Sequence, residues 1–220
     1  MGYVNFIEKL HTSTKRDYVK RVTENDKASC AEVAKQFSMD YWDGDRKFGY
    51  GGYKYDGRWK VVADDISAFY KLRPGMRILD VGCGKGFLLY EFTRSVPGIE
   101  VSGIDISKYA IENSKEEVRP FLRTGLAQEL PYEDNSFDFV ISITTLHNLH
   151  IYDLKKAVQH IQRVSKGNSY IVVESYRSEV EKANLLYWQL TCECFYTPAE
   201  WEWLFNEWGY TGDYGFIYFE

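Results

Sequence analysis

The order of apolar and polar positions divides the chain into three stretches. Between residues 76 and 175, apolar runs at 76–81, 99–104, 121–124, 137–143 and 169–175 read as buried strands. The segments between them, 86–95, 107–117 and 153–165, repeat apolar residues at helical spacing. Strands alternating with helices predict a parallel sheet covered on both faces, with its ligand beyond the carboxyl ends of the strands. Ahead of this region the pattern predicts helices near 15–23, 28–37 and 58–72, a loop rich in glycine and aromatic residues before the third, and a sharp turn at Pro74-Gly75. Behind it come helices near 179–190 and 198–207 and an alternating segment from Tyr214 to Phe219. Neither repeats nor low-complexity tracts interrupt the pattern.

The first apolar run ends in Asp80-Val81-Gly82-Cys83-Gly84-Lys85-Gly86. Three glycines at alternate positions after a strand describe a tight loop and a helix start. Such a loop lets the backbone turn sharply, brings peptide groups close to a ligand, and offers it the positive end of a helix. Two known glycine loops fail on residue identity. A dinucleotide fingerprint read from Gly82 needs glycine where Phe87 stands, and read from Gly84 it needs one where Leu89 stands. A P-loop needs four residues between its glycines, followed by Lys-Ser/Thr, but Lys85 follows Gly84 directly and precedes Gly86.

The remaining pattern resembles motif I of the class I S-adenosylmethionine-dependent methyltransferases, and the match continues in the right order over roughly residues 74–175. The resemblance implies a Rossmann-like α/β fold: a mainly parallel seven-stranded sheet, an antiparallel last strand at Tyr214 to Phe219, and helices on both faces. It implies S-adenosylmethionine as cofactor, held by Asp80, Gly82, Cys83, Gly84 and Gly86. The second strand closes on Asp105-Ile106, about 20 residues beyond the glycines, where a carboxylate can accept from both ribose hydroxyls. Gly125 to Pro131 is similar to the family's loop beside the adenine, with Ala127 and Gln128 in it. Leu126 stands where many members carry an acid, so an adenine amino contact falls to Gln128 or to backbone carbonyls. The fourth strand runs on into Thr144-Thr145-Leu146-His147, similar to the region where donor meets acceptor.

Composition narrows the class. A chain of 220 residues suits one α/β core with a short substrate-covering region. The layout predicted is a single methyltransferase domain over 1–220: an N-terminal helical extension and lid (1–73), a cofactor-binding core (74–175), and substrate-side helices with the last strands (176–220). A net charge of −5 argues against nucleic acid as substrate. Arg16, Lys20 and Arg21 read as a solvated helix face. The four cysteines, Cys30, Cys83, Cys192 and Cys194, have neither C-x-x-C nor zinc-like spacing, which predicts reduced thiols and no metal site. The first thirty residues carry charges throughout, and apolar runs fall short of a membrane span, so a cytoplasmic protein off the membrane is expected.

Aromatic residues make up 17% of the chain, with 18 Tyr and 6 Trp, and they cluster in two segments outside the core. Lys47 to Trp59 combines four glycines with flat rings, a composition suited to a lid; Tyr53, Asp56, Arg58 and Trp59 bring useful chemistry to it. Trp188 to Thr197, with Trp201 behind it, serves equally as core or as pocket wall. Glu174 and Tyr176 follow the fifth strand on its ligand-facing edge. An acceptor hydroxyl or protonated amine needs a base near pH 7, and His147 fits by its ordinary pKa, with Glu174, Asp56 and Tyr53 as alternates. The function expected is methyl transfer to an O or N atom of a small-molecule acceptor such as a sugar or metabolite. The alternatives are a catalytically inactive methyltransferase-like partner protein and a protein or peptide methyltransferase. A homodimer stays open.

Overall fold

In the computed structural model, which describes residues 1–12 and 16–220, the apolar runs of the middle region form the centre of one sheet. Its strands are β1 (Arg77–Val81), β2 (Glu100–Asp105), β3 (Leu122–Thr124), β4 (Phe139–Ile143), β5 (Ser169–Glu174) and β6 (Asp213–Ile217), in the order β3-β2-β1-β4-β5-β6. Every pairing is parallel. Strands β4 and β5 are buried along their whole length, as sheets covered on both faces require.

The helices are α1 (Glu8–Thr12), α2 (Tyr18–Thr23), α3 (Lys27–Ala34), α4 (Met39–Trp42), α5 (Lys60–Phe69), α6 (Phe87–Ser95), α7 (Lys108–Glu112), α8 (Ile151–Val164), α9 (Glu179–Trp188) and α10 (Pro198–Glu207). Alternate strand residues face opposite layers. Ile78, Phe139, Ile141 and Val172 pack with Val62 and Ile66 of α5 and Leu89 and Phe92 of α6. Leu79, Val140, Ile171 and Val173 pack with Leu154, Val158 and Ile161 of α8 and Trp201 and Phe205 of α10. Burial of this kind contributes about 25 cal/mol per Å² of apolar surface, so these two layers are the main hold on the sheet. Helix starts follow local chemistry: Asp17 and Asp26 accept from the backbone of Lys20 and Ser29, and Thr197 with Glu200 completes a capping box.

Two expectations for the sheet are corrected. Among the described residues it has six strands, not seven, and the last is parallel, not antiparallel. An antiparallel strand would set out from the end where β5 finishes, but the connection through α9 and α10 returns the chain to the starting end of the sheet, so β6 runs the same way as β5. Residues 2–4 take the outer edge of β6, also parallel: Val4 N–H donates to the Tyr214 carbonyl at 2.8 Å, and Tyr214 N–H donates to that of Gly2 at 3.0 Å.

Boundaries also differ. The helix expected over 107–117 stops at Glu112, because the chain turns so that Lys115 N–H can reach the Lys85 carbonyl at 2.9 Å, and a 3-10 turn follows at Arg119–Phe121. Of the helix expected near 15–23, Lys15 lies outside the described residues, and α2 begins at Tyr18. Among the described residues no helix is long and apolar enough to cross a membrane.

Candidate active site

The loop after β1 adopts left-handed backbone at all three glycines, with φ of +86° at Gly82, +51° at Gly84 and +70° at Gly86. Each excludes a Cβ for a different reason. At Gly82 it would fall on the Thr145 side chain, 1.9 Å from Oγ1; at Gly84 it would meet the Trp42 ring at 2.8 Å; at Gly86 it would meet Leu122 and Val118 at 2.9 and 3.0 Å. The first two glycines thus admit close neighbours at the ligand edge, while the third admits helix packing. Cys83 contributes its backbone to the loop, while its thiol turns toward the core beside Leu89 and Leu122. Burial pushes that thiol well above its ordinary range.

Asp105 binds this loop. One carboxylate oxygen accepts from Gly84 N–H at 2.8 Å and the other from Ser107 N–H at 2.7 Å, which leaves lone pairs on both for a ligand. Ser107 in turn caps α7, accepting from Ala110 N–H at 3.0 Å. Burial raises the Asp105 pKa, against the lowering effect of the two backbone N–H groups. A cavity of about 180 Å³ opens here, lined by Asp105, Ile106, Ala127, Gln128 and Thr144 and roofed by Phe37, Tyr41, Trp42 and Tyr50. The Gln128 Oε1 is buried and has no hydrogen-bond partner among the described residues.

A smaller recess continues from it along Gly82, Gly84, Tyr53, Trp59 and Asp80. The Asp80 carboxylate is 4% exposed, and among the described residues no group hydrogen-bonds to it. Burial, with the Asp105 charge nearby, pushes it up to about 8. A buried carboxylate without a donor is costly unless a ligand supplies one.

The second large cavity, about 340 Å³, lies beside the first and is lined by Tyr53, His147, Glu174, Trp188 and Gln189 among others. Tyr50 and Thr144 line both cavities and the recess, so they mark the junction. Thr144 holds φ of +54°, strained for a β-branched residue by about 1–3 kcal/mol, a cost that a functional constraint commonly accompanies.

Glu174 and His147 form the buried polar pair of this cavity, 3% and 2% exposed. Glu174 N–H donates to His147 Nδ1 at 3.3 Å, which assigns the ring proton to Nε2, 3.5 Å from Glu174 Oε2. Burial pushes the imidazole down to about 3 and the carboxyl up to about 8, the latter opposed by the amide of Gln189, which donates to Oε1, and by the charge of Arg16. Oε2 has no hydrogen-bond partner among the described residues. Trp201, entirely core, braces the strand end by donating its indole N–H to the Glu174 carbonyl at 3.0 Å.

A family model described as "Methyltransferase domain" matches residues 72–209. The chain belongs to the class I S-adenosylmethionine-dependent methyltransferases. It is 33% identical to a demethylmenaquinone methyltransferase of Symbiobacterium thermophilum over 54% of this methyltransferase and 50% of the relative. A second enzyme of that name, from Staphylococcus aureus, is 38% identical over 46% of this chain and 43% of its own. This chain therefore spans half or less of the length of these curated relatives. Among solved structures, the YcgJ protein of Bacillus subtilis superposes with a TM-score of 0.55 at 22% identity over 66% of each chain, a likeness of fold.

Of the other residues singled out in the methyltransferase sequence, Tyr53 lines the second cavity and the recess. Its hydroxyl accepts from Trp59 Nε1 at 2.9 Å, and burial pushes its pKa up. Asp56 is exposed and turns to Arg58, 2.5 Å away. Tyr176 packs on the core under Lys182. The solvated face expected at Arg16 and Arg21 is corrected: both line the second cavity, drawn there by the Trp188 ring, and Lys20 alone of the three stays outside, beside Glu24.

The residues that the sequence did not single out are Phe37, Tyr41 and Trp42. Trp42 stacks on Tyr50 at 5.3 Å and 13°, and donates its indole N–H to Ser107 Oγ at 2.9 Å. The glycine-rich loop folds back under this helix, with Tyr50 N–H on the Tyr41 carbonyl and Gly52 and Tyr53 N–H on that of Trp42. The run Tyr41-Trp42 beside that loop was the available signal.

Proposed function

We propose that this methyltransferase moves the methyl group of S-adenosylmethionine to an oxygen or nitrogen of a small-molecule acceptor held in the second cavity. The observation that carries the reading is the junction at Thr144 and Tyr50, where a cavity with ribose- and adenine-type acceptors meets one that ends on a buried, base-competent carboxylate.

The residues present fit the cofactor. Asp105 has one open acceptor site on each oxygen for the ribose hydroxyls, and the orphaned Gln128 Oε1 suits the adenine amino group. Ile106 and Ala127 offer apolar contact to the adenine ring. The undonated Asp80 carboxylate in the recess suits the cofactor's ammonium, and Gly82 leaves room for the methionine portion. When bound, S-adenosylmethionine supplies an electrophilic methyl carbon on a positively charged sulfur.

The protein's part is alignment, exclusion of water and removal of one proton. Glu174 is the base: it lines the acceptor cavity, its Oε2 has no hydrogen-bond partner among the described residues, and the carboxylate takes the proton from the acceptor's O–H or N–H. His147 stays neutral and fixes the Glu174 backbone through Nδ1, a positioning role. Tyr53, Tyr50 and Trp42 close the donor side against solvent. Support for a small acceptor comes from the size of the second cavity and the short segments that enclose it.

Calorimetric titration with S-adenosylmethionine tests the donor half. Saturable one-to-one binding is expected, weakened in Asp105→Ala; failure of the wild-type protein to bind would overturn the reading.

A further inference from the structure

The wall of the second cavity is basic, although the chain carries a net charge of −5. Arg16, Arg21 and Arg46 come from the N-terminal third and meet over one indole: their guanidinium carbons lie 5.5, 4.6 and 5.2 Å from the centre of the Trp188 ring. Lys54 and Arg58 line the same cavity. Asp56 neutralises Arg58, but among the described residues neither Arg21 nor Arg46 has a carboxylate within 4 Å.

Among the described residues the hydrogen bonds of Arg21 and Arg46 go to carbonyls only. Arg21 donates Nε to the Trp188 carbonyl at 2.8 Å and Nη1 to that of Arg46 at 3.3 Å, and Arg46 donates Nη1 to Gly49. Those bonds fix the two forks and leave Nη2 of Arg21 and the Nε and Nη2 edge of Arg46 without a protein acceptor among the described residues. Stacking on an aromatic face holds a guanidinium in place while its N–H edge stays open. Partial burial lowers the pKa of each, and the charge of Arg46 lowers those of Arg16 and Arg21 further, so the cluster holds like charges together at a cost.

We infer that the cluster around Trp188 is an oxyanion site and that the acceptor is a phosphorylated small molecule, anchored by its phosphoryl group to Arg21 and Arg46 with Arg16 beside them. A phosphoryl dianion matches the two charges of Arg21 and Arg46; one carboxylate would leave half of that charge uncompensated. Planar forks bind such oxygens in pairs. The cluster shares its cavity with Glu174, so a molecule anchored there turns its remaining groups toward the base. The inference rests on the second cavity being the acceptor site.

The test is titration of the full chain, preloaded with S-adenosylmethionine, with inorganic phosphate and separately with acetate at matched ionic strength. Saturable phosphate binding is expected at millimolar concentration or below, weakened at least ~10-fold in Arg46→Gln and in Arg21→Gln, with acetate at least ~10-fold weaker. Arg46 is exposed, so its variant keeps the fold, and Arg21→Lys should restore part of the binding if charge is what the site supplies. Cofactor affinity, measured on each variant, should stay within about twofold. Cofactor binding with no phosphate binding, or phosphate binding indifferent to both arginines, overturns the inference and leaves methyl transfer standing. Acetate binding as tightly as phosphate overturns the phosphoryl assignment. Failure to bind S-adenosylmethionine at the preloading step strikes the function itself.

Discussion

The Asp43 carboxylate grips the ammonium of Lys85, at 2.6 and 2.8 Å, and so ties the segment after α4 to the glycine loop. Asp43 also accepts from the Tyr109 hydroxyl at 2.8 Å and Tyr53 N–H at 3.1 Å. The Lys85 side chain is 5% exposed and needs this partner. Asp43→Asn should therefore destabilise the protein by about 3 kcal/mol in urea denaturation, and should weaken S-adenosylmethionine binding as Trp42 loosens over Gly84. Unchanged stability would mean that water reaches Lys85 easily.

Glu174→Gln removes the proposed base and keeps the shape. Turnover should fall by roughly 10²–10⁴, with cofactor affinity within about twofold of wild type. In the wild-type enzyme the rate should rise with pH and level off above about 8, as the carboxyl that burial has raised gives up its proton. A flat profile across that range, or full activity in the variant, would move the base elsewhere.

Asp105→Ala should cost about 1–3 kcal/mol of cofactor affinity, a factor of roughly 5–150, read by calorimetry. The loss includes the anchoring of Gly84 N–H and Ser107 N–H, so Asp105→Asn, which keeps an acceptor oxygen, should lose less.

Stability of the cofactor-free protein should fall as pH rises. Asp80 and Glu174 both titrate near 8 in the fold against ordinary values of 3.8 and 4.5, so the native state binds their protons more tightly than the unfolded chain does. Their contribution is fully present below about pH 4 and is lost as pH climbs through about 8. A loss of about 2 kcal/mol would lower Tm by roughly 4–8 °C, visible by calorimetric scanning between pH 5 and 8.5. Asp80→Asn should flatten that slope, and a slope equal to wild type would show that Asp80 is ionised throughout.

Gly82→Ala should abolish cofactor binding and Gly86→Ala should chiefly destabilise the fold. The first sets a Cβ on Thr145 at the ligand edge; the second sets one against Leu122 and Val118 beneath α6. Binding and denaturation measured on both variants separate the two roles, and equal binding defects would contradict the division.

The sheet was legible because β1, β4 and β5 are buried over nearly all their length and read as mainly apolar runs, and because Asp105 closes β2. The direction of β6 was not, since alternation in Tyr214 to Phe219 specifies a strand and not its sense; that depends on the crossover through α10. Arg21 was misread for a related reason. Spacing on a six-residue helix gives no clue that a tryptophan 167 positions away will turn its charge inward. Trp42 likewise belongs to a four-residue helix, too short for a periodic signal.

Arg21 and Trp188 also imply an order of assembly. Contacts across so long a loop repay their closure entropy late, whereas β1, α6 and β2 are neighbours along the chain and can associate early. The cofactor half can thus mature before the acceptor half exists, and a nascent or partly unfolded molecule would bind the methyl donor while still blind to its acceptor.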